Sequence, residues 1–280
     1  MPTTEFTERD PFSPIVYGYP GVTLLHQERT PYQEIVVLQH PYFGKMLVLD
    51  GVVQLTERDE FFYHEMLVHP AMHVHPSPQH VLIIGGGDGG SLREVLKYPG
   101  VQGVTLVEID QGVVEVSKRF LPGLSQGFSD PRVQVVYQDG TRLVQQPPVQ
   151  YDVIIVDSTD PVGPAVGLFS AEFFGDASRA LTPHGILVTQ SESLLFHTAF
   201  VADVQRRLGQ HFPIADCYAQ PLATYAGNWW TFSIASKTHD PRRPGRGPKI
   251  PTRYYSPEVH RKAFLARALY RRLLAGTLDW

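Results

Sequence analysis

The sequence predicts an α/β protein, a doubly wound parallel-sheet domain preceded by a small antiparallel β domain, on three observations. Five apolar, β-branched runs recur between helix-length stretches from residue 81 onward. The first of them runs straight into a glycine cluster, as strands do where open α/β sheets bind ligands. Residues 17–56, by contrast, are short β-rich pieces separated by turn signals. At 280 residues with 42% hydrophobic content, the chain can bury one large core and a small companion.

In chain order, VTLL, EIVVLQ and KMLVLDGVVQLTE are rich in β-branched residues, and the Asp50-Gly51 step suits a tight hairpin. They place an N-terminal antiparallel domain at residues 1–58. From Asp59 the pattern changes to the helix-length EFFYHEMLVHPAMH, which opens a larger domain over residues 59–280. The apolar runs follow: VLIIGGG (81–87), VTLVEID (104–110), VQVVYQDG (133–140), YDVIIVDS (151–158) and GILVTQSES (185–193). Unbroken runs at this spacing fit strands buried on both faces of a parallel sheet. The stretch THDPRRPGRGPKIPTR reads as an exposed connector. After it, Ser256 caps a helix with Pro257 at its first position, and apolar spacing carries that helix through Leu274.

The formal charge of -4 hides an asymmetry. Residues 237–280 hold 11 Lys/Arg against 3 Asp/Glu, which leaves residues 1–236 with 13 against 25. An acidic body favours cationic ligands and disfavours phosphates. The basic tail lacks interleaved aromatics or a binding motif, so it is read as a surface helix with no nucleic-acid role. No run of about 18 apolar residues exists for a membrane span, and the first residues lack a signal-peptide pattern, so a cytoplasmic location is expected. Cys217 is the only cysteine and reads as a small buried hydrophobe.

The carboxylates fall where chemistry is done. Gly85, Gly87 and Gly90 satisfy the dinucleotide pattern G-x-G-x-x-G, which alone is weak evidence. Glu108 ends the next strand, where a carboxylate accepts hydrogen bonds from ribose hydroxyls. Asp139-Gly140 and Asp157 end the third and fourth, so the carboxylates should face one crevice. An NAD pyrophosphate would lie beside Asp88 with Asp157 and Asp160 near and no basic residue in the loop. Like charges ~4 Å apart at an effective dielectric near 20 repel by about 4 kcal/mol, so a cationic nucleoside fits better.

The segment Asp157-Ser158-Thr159-Asp160-Pro161-Val162-Gly163-Pro164-Ala165 follows a buried strand directly. One such aspartate is ordinarily a helix cap or a turn residue. Two, three residues apart at a ligand crevice, point to function, with the Pro/Gly stretch as a lid. His64, His69, His73 and His75 form no metal-binding spacing and read as core or surface histidines. Trp229 and Trp230 are divided between core packing and cation-π contact with an amine.

Taken together, GGGDGG, VEID, QDG, DSTDPVGPA, QSES, DEFFYHEM and the terminal YYSPEVHRKAF resemble the polyamine aminopropyltransferase family, in its spermidine synthase branch, over residues 17–270. The resemblance implies the Rossmann-like fold of S-adenosylmethionine-dependent transferases. It implies transfer of the aminopropyl group of decarboxylated S-adenosylmethionine, a co-substrate and not a prosthetic group, to a diamine, with putrescine first. It makes Asp157 the catalytic acid-base residue and Asp160 its partner at the diamine, with Ser158 and Thr159 between them. Gln33, Glu108, Asp139, Gly140 and Pro164 match contacts to the nucleoside. Asp88 and His64 match positions that hold the aminopropyl amine, and Tyr63, Gln190 and Tyr225 match the wall of the diamine pocket. Many members have proline after the matching tyrosine; here it is Ala226, which bears on acceptor length. A homodimer or homotetramer through the β-rich end is implied, and a metal is not.

The chemistry sets a demand on the site. An ammonium near pKa 10.4 and an aspartate near 3.9 differ by ~6.5 units, or roughly 9 kcal/mol, in water. A closed pocket must therefore lower the amine's pKa and raise that of Asp157, the latter by burial and by Asp160. Three other readings share parts of the pattern: a methyltransferase, an NAD-dependent oxidoreductase and a catalytically silent nucleoside or polyamine sensor. The first needs no aspartate pair, the second conflicts with the charge, and the third predicts loss of Asp157 or Asp160.

Overall fold

The computed structural model describes residues 4–10, 14–225, 227–245 and 247–278. A five-stranded antiparallel sheet comes first: β1 (Thr4–Arg9), β2 (Val16–Arg29), β3 (Glu34–His40), β4 (Gly44–Leu49) and β5 (Val52–Thr56), in that spatial order. Asp50 and Gly51 turn the β4–β5 hairpin at φ of 46° and 83°, the two positive values that a tight two-residue turn needs. The strand β1 lies outside the expected span of 17–56. It pairs with β2 through Thr7↔Gly18 and Arg9↔Val16.

The large sheet holds β6 (His80–Gly85), β7 (Gly103–Glu108), β8 (Val133–Tyr137), β9 (Tyr151–Asp157), β10 (Leu181–Ser193), β11 (Ile214–Pro221) and β12 (Trp229–Ser236). Their order is β11-β12-β10-β9-β6-β7-β8. The five expected strands are parallel neighbours, so the doubly wound core stands. Two further strands extend that core: β12 runs antiparallel to β10, and β11 to β12, which makes the whole sheet mixed but mostly parallel. The strand order reverses between β6 and β9, where Gly85 and Asp157 sit opposite each other. That switch point is where such sheets open a crevice.

Helix α1 (Glu60–Val74) joins the two sheets and is buried at nearly every position, which explains its lack of a polar face. His64, His69, His73 and His75 are all buried. His69 and His73 share the Tyr98 hydroxyl at 3.0 and 2.7 Å, so these two are core histidines. Helices α2 (Gly90–Leu96), α3 (Gln111–Phe120), α4 (Pro122–Ser125), α5 (Gly140–Gln145), α6 (Ala171–Ala180) and α7 (Thr198–Leu208) cover the large sheet. The small sheet's inner face, with Ile35, Leu47 and Leu55, packs on Val113 and Val116 of α3 and so roofs the crevice. Cys217 is buried and free, as expected.

The single C-terminal helix expected over 256–274 is two: α8 (Pro257–Ala263) and α9 (Arg267–Leu274). Ser256 caps the first, accepting from the Val259 N–H at 3.1 Å. The break has a tertiary cause, because Phe264 forms a β-bridge with Tyr218 and Leu265 N–H donates to the Cys217 carbonyl. Sheet-edge hydrogen bonds replace those the helix would have made. The connector contains no helix or strand among its described residues, but its end is fixed. The Glu65 carboxylate accepts from the N–H groups of Arg253, Tyr254 and Tyr255 at 2.7, 2.8 and 2.7 Å.

Candidate active site

The crevice is built from glycine outward. Gly85 ends β6 at φ 79°, and a side chain there would put Cβ 2.1 Å from the Asp157 carbonyl oxygen. Only glycine lets the loop press against β9, and the Gly86 N–H then donates to that carbonyl at 2.8 Å. Gly90 gives room to an imidazole: a Cβ there would sit 2.2 Å from the His64 ring. The glycine loop thus fixes Asp157 on one side and His64 on the other.

A cavity of roughly 400 Å³ occupies the crevice between the two sheets. Gln33, Glu108, Asp139, Gly140 and Pro164, matched to the nucleoside, all line it. Asp88, His64 and Asp157 face it as well. Tyr63, Ser158, Thr159 and Tyr225 border both this cavity and a narrower slot beside it. Asp160 and Gln190 line the slot alone, with Trp230. Trp229, its neighbour, packs in the cluster of Cys217 and Leu273 instead. Ala226 lies outside the described residues.

Hydrogen bonds prepare each group. Tyr63 donates its hydroxyl to Oδ1 of Asp157 at 2.9 Å, while the buried Oδ2 has no hydrogen-bond partner among the described residues. Asp88 accepts from the Gly90 N–H at 2.7 Å, and His64 Nε2 lies 3.3 Å from it. The other His64 nitrogen is 2.7 Å from Glu60, which Arg93 grips with two hydrogen bonds of 2.9 Å. Glu108 accepts from the N–H groups of Gly87 and Asp110. Gln33 donates to Asp110 at 2.9 Å, and Asp139 caps α5 through the Thr141 N–H.

Burial raises the Asp157 carboxyl above its ordinary range, and the charge of Asp88 adds to it. This corrects the expectation that Asp160 would be the second cause. Asp160 is three residues further on but lines the slot and not the larger cavity. There burial raises it, and the Glu192 carboxyl shares a hydrogen bond with it. Burial and Asp160 together drive Glu192 well above the carboxylate range, so one proton serves the pair. Burial also lifts Glu108 to about 7. For His64, burial favours the neutral ring, but Asp88 and Glu60 outweigh it and hold the imidazolium.

Three acidic residues of the slot, Glu8, Asp10 and Glu192, are not among the site residues expected from the sequence. Glu8 is 5% exposed on β1, accepts from the Val53 N–H at 3.2 Å, and is raised to about 7 by burial. Glu192 sits inside QSES, where the resemblance implies a role for Gln190 alone. Glu8 belongs to the short stretch TEFTER, ahead of the β-rich run at 17–56, and only its pairing with β2 makes it a strand.

A mostly parallel sheet with a nucleoside-sized cavity, a ribose-ready glutamate and an adjoining acidic slot defines a nucleoside-dependent group transferase acting on cations. The comparisons with known proteins narrow this class. Residues 60–243 match the spermine/spermidine synthase domain, and residues 16–57 match the spermidine synthase tetramerisation domain. The polyamine aminopropyltransferase 1 of Aquifex aeolicus (strain VF5) is 51% identical over 271 residues, covering 97% of each chain. The polyamine aminopropyltransferase of Bacillus subtilis (strain 168) is 45% identical, covering 88% of this chain and 91% of that one. A spermidine synthase crystallised with the transition-state analogue AdoDATO superposes with a TM-score of 0.92 at 34% identity, covering 97% and 95%. The chain belongs to the spermine/spermidine synthase family. Its reaction is aminopropyl transfer, and the methyltransferase alternative falls away. Among the described residues no helix is long and apolar enough to cross a membrane.

Proposed function

We propose that the chain is a spermidine synthase, transferring the aminopropyl group of decarboxylated S-adenosylmethionine to putrescine and releasing methylthioadenosine. One observation carries the assignment of roles: Asp157, held by the Tyr63 hydroxyl, lines the larger cavity beside Tyr63, Ser158 and Thr159, which border both cavities. The nucleoside occupies the larger cavity, its ribose on Glu108 and its base among Gln33, Asp139, Gly140 and Pro164. Asp88, with His64 behind it, takes the aminopropyl ammonium. The diamine lies in the slot along Tyr63, Ser158, Thr159, Gln190 and Tyr225, with its far ammonium at Asp160 and Glu192.

The attacking nitrogen forms a bond to the methylene beside the sulfonium as the carbon–sulfur bond breaks, and that pair of electrons returns to sulfur. Methylthioadenosine leaves as a neutral thioether and needs no proton. The nitrogen gives its proton to Oδ2 of Asp157. Two features narrow the gap of roughly 9 kcal/mol that separates these groups in water. Burial and Asp88 raise Asp157. The adjacent sulfonium disfavours a charged amine. Alignment of nitrogen, carbon and sulfur in a closed slot supplies several kcal/mol more.

We further divide the chain into an assembly domain at 1–58 and a catalytic domain at 59–280, place it in the cytoplasm, and assign a homotetramer. Val16, Leu24, Leu25 and Tyr42, exposed on or beside the small sheet, support association there. Light scattering of the purified protein checks the last point. The reaction is tested by supplying decarboxylated S-adenosylmethionine with putrescine, cadaverine, agmatine or spermidine and measuring methylthioadenosine. Putrescine should give the highest kcat/KM; a different preferred amine would replace putrescine in the assignment.

A further inference from the structure

Asp59 stands at the N-cap position of α1, where an aspartate ordinarily accepts from its own helix's free N–H groups. It makes no such bond. Its buried carboxylate reaches elsewhere: Oδ1 accepts from the Thr56 hydroxyl at 2.6 Å, and Oδ2 from the Thr224 hydroxyl at 2.8 Å. Among the described residues no cation pairs with it, so these two hydroxyls are what hold it. Three pieces of chain meet at this one side chain. They are the end of the small sheet, the start of the helix carrying Tyr63 and His64, and the loop 222–228 between β11 and β12.

That loop is seated by packing at Leu222, which is buried in the core, and at Tyr225, edge-on to Trp230 with ring centres 4.7 Å apart, and otherwise by few hydrogen bonds. It is closed at its base by the Leu222 N–H donating to the Asn228 carbonyl. Its hydrogen bonds to the rest of the molecule, among the described residues, all run to residues 17–59: Thr224 to Asp59, the Tyr225 hydroxyl to the Gln54 carbonyl, and the Gly227 N–H to the Tyr17 hydroxyl. The loop carries Tyr225, which borders both cavities and packs edge-on against Tyr63 with ring centres 5.6 Å apart. The small sheet, matched as an assembly module, therefore holds a wall of the slot.

We propose that Asp59 is a positioning residue for the amine acceptor, clamping the Tyr225 loop to the small sheet so that the slot keeps its width while the nucleoside cavity is left alone. This rests on the reading that Tyr225 walls the acceptor slot. Thr224→Val removes one donor at nearly constant volume. It should raise the acceptor KM by about tenfold, the scale of a lost hydrogen bond to a charged group. The methylthioadenosine Kd should stay within twofold, and Thr224→Ser should restore the wild-type KM. Thr56→Val and Asp59→Asn should show the same split, with unchanged circular dichroism. An unchanged acceptor KM in folded Thr224→Val, or equal losses for acceptor and nucleoside, overturns the clamp. Tyr225→Ala separates the two claims. If it raises the acceptor KM and Thr224→Val does not, only the clamp fails; if neither does, the slot assignment fails.

Discussion

The Tyr63 hydroxyl donates to Oδ1 of Asp157 at 2.9 Å and so fixes how that carboxylate sits in the wall of the cleft. The bond orients the group and leaves one oxygen for the substrate proton. Asp157→Asn should keep the fold and bind methylthioadenosine normally while kcat falls by about 10³, within the range of a lost general base. Tyr63→Phe, which removes orientation but not the base, should cost about tenfold to a hundredfold in kcat. Steady-state kinetics beside calorimetric binding checks both, and near-normal turnover in Asp157→Asn would remove the assigned role.

Glu108 makes nucleoside binding pH-dependent. Its carboxyl is raised to about 7 in the free protein by burial, and two ribose hydroxyls donate best to the charged form. Binding therefore lowers its pKa and releases a proton. The affinity for methylthioadenosine should rise by up to about tenfold per pH unit below 7 and level off above it. Calorimetry in buffers of different ionisation enthalpy detects the released proton, and Glu108→Gln should bind weakly with a flat profile.

Glu8 acts on stability in a defined pH window. Its folded value of about 7 lies above the ordinary 4.5. The folded state therefore holds a proton that the unfolded state has lost between these values. The favourable contribution is complete below pH 4.5 and is lost as the pH rises through 7. Glu8→Gln, neutral throughout, should leave Tm nearly unchanged at pH 4 and raise it by several degrees at pH 8. The upper bound is about 3 kcal/mol, from a shift of some 2.5 units. Thermal scans of the unliganded protein at both pH values decide it; equal Tm at pH 8 contradicts the burial of an ionised Glu8.

What the sequence disclosed was whatever lies close along the chain. The glycine loop, the strand-end carboxylates at 108, 139 and 157 and the Asp-Gly hairpin are each a few residues of local chemistry, and the folded chain brings them to one crevice. Proximity in sequence misled once. Asp160 is three residues from Asp157, yet the turn after β9 sends it to Glu192, and it is Asp88, from a different loop, that perturbs Asp157. Glu8 and Asp59 were beyond reach for another reason. Each matters through partners set by sheet pairing or loop docking, Val53 for one and Thr224 for the other, at separations of 45 and 165 residues. The break at Phe264 is similar, since nothing in its own helix-like spacing foretells capture by the edge of β11.

Asp160 and Glu192 should behave as one charge. Burial and the charge of Asp160 keep a proton on Glu192, so the pair carries one charge, and either carboxyl alone is expected to receive the acceptor's far ammonium. Asp160→Asn and Glu192→Gln should each raise the putrescine KM by about tenfold or less, whereas the double variant should raise it by more than the product of the two. The methylthioadenosine Kd should not move in any of the three, because both groups line the slot and not the nucleoside cavity. A simple product of effects in the double variant would mean that the two carboxyls carry separate charges, and a change in nucleoside affinity would place them in the wrong cavity.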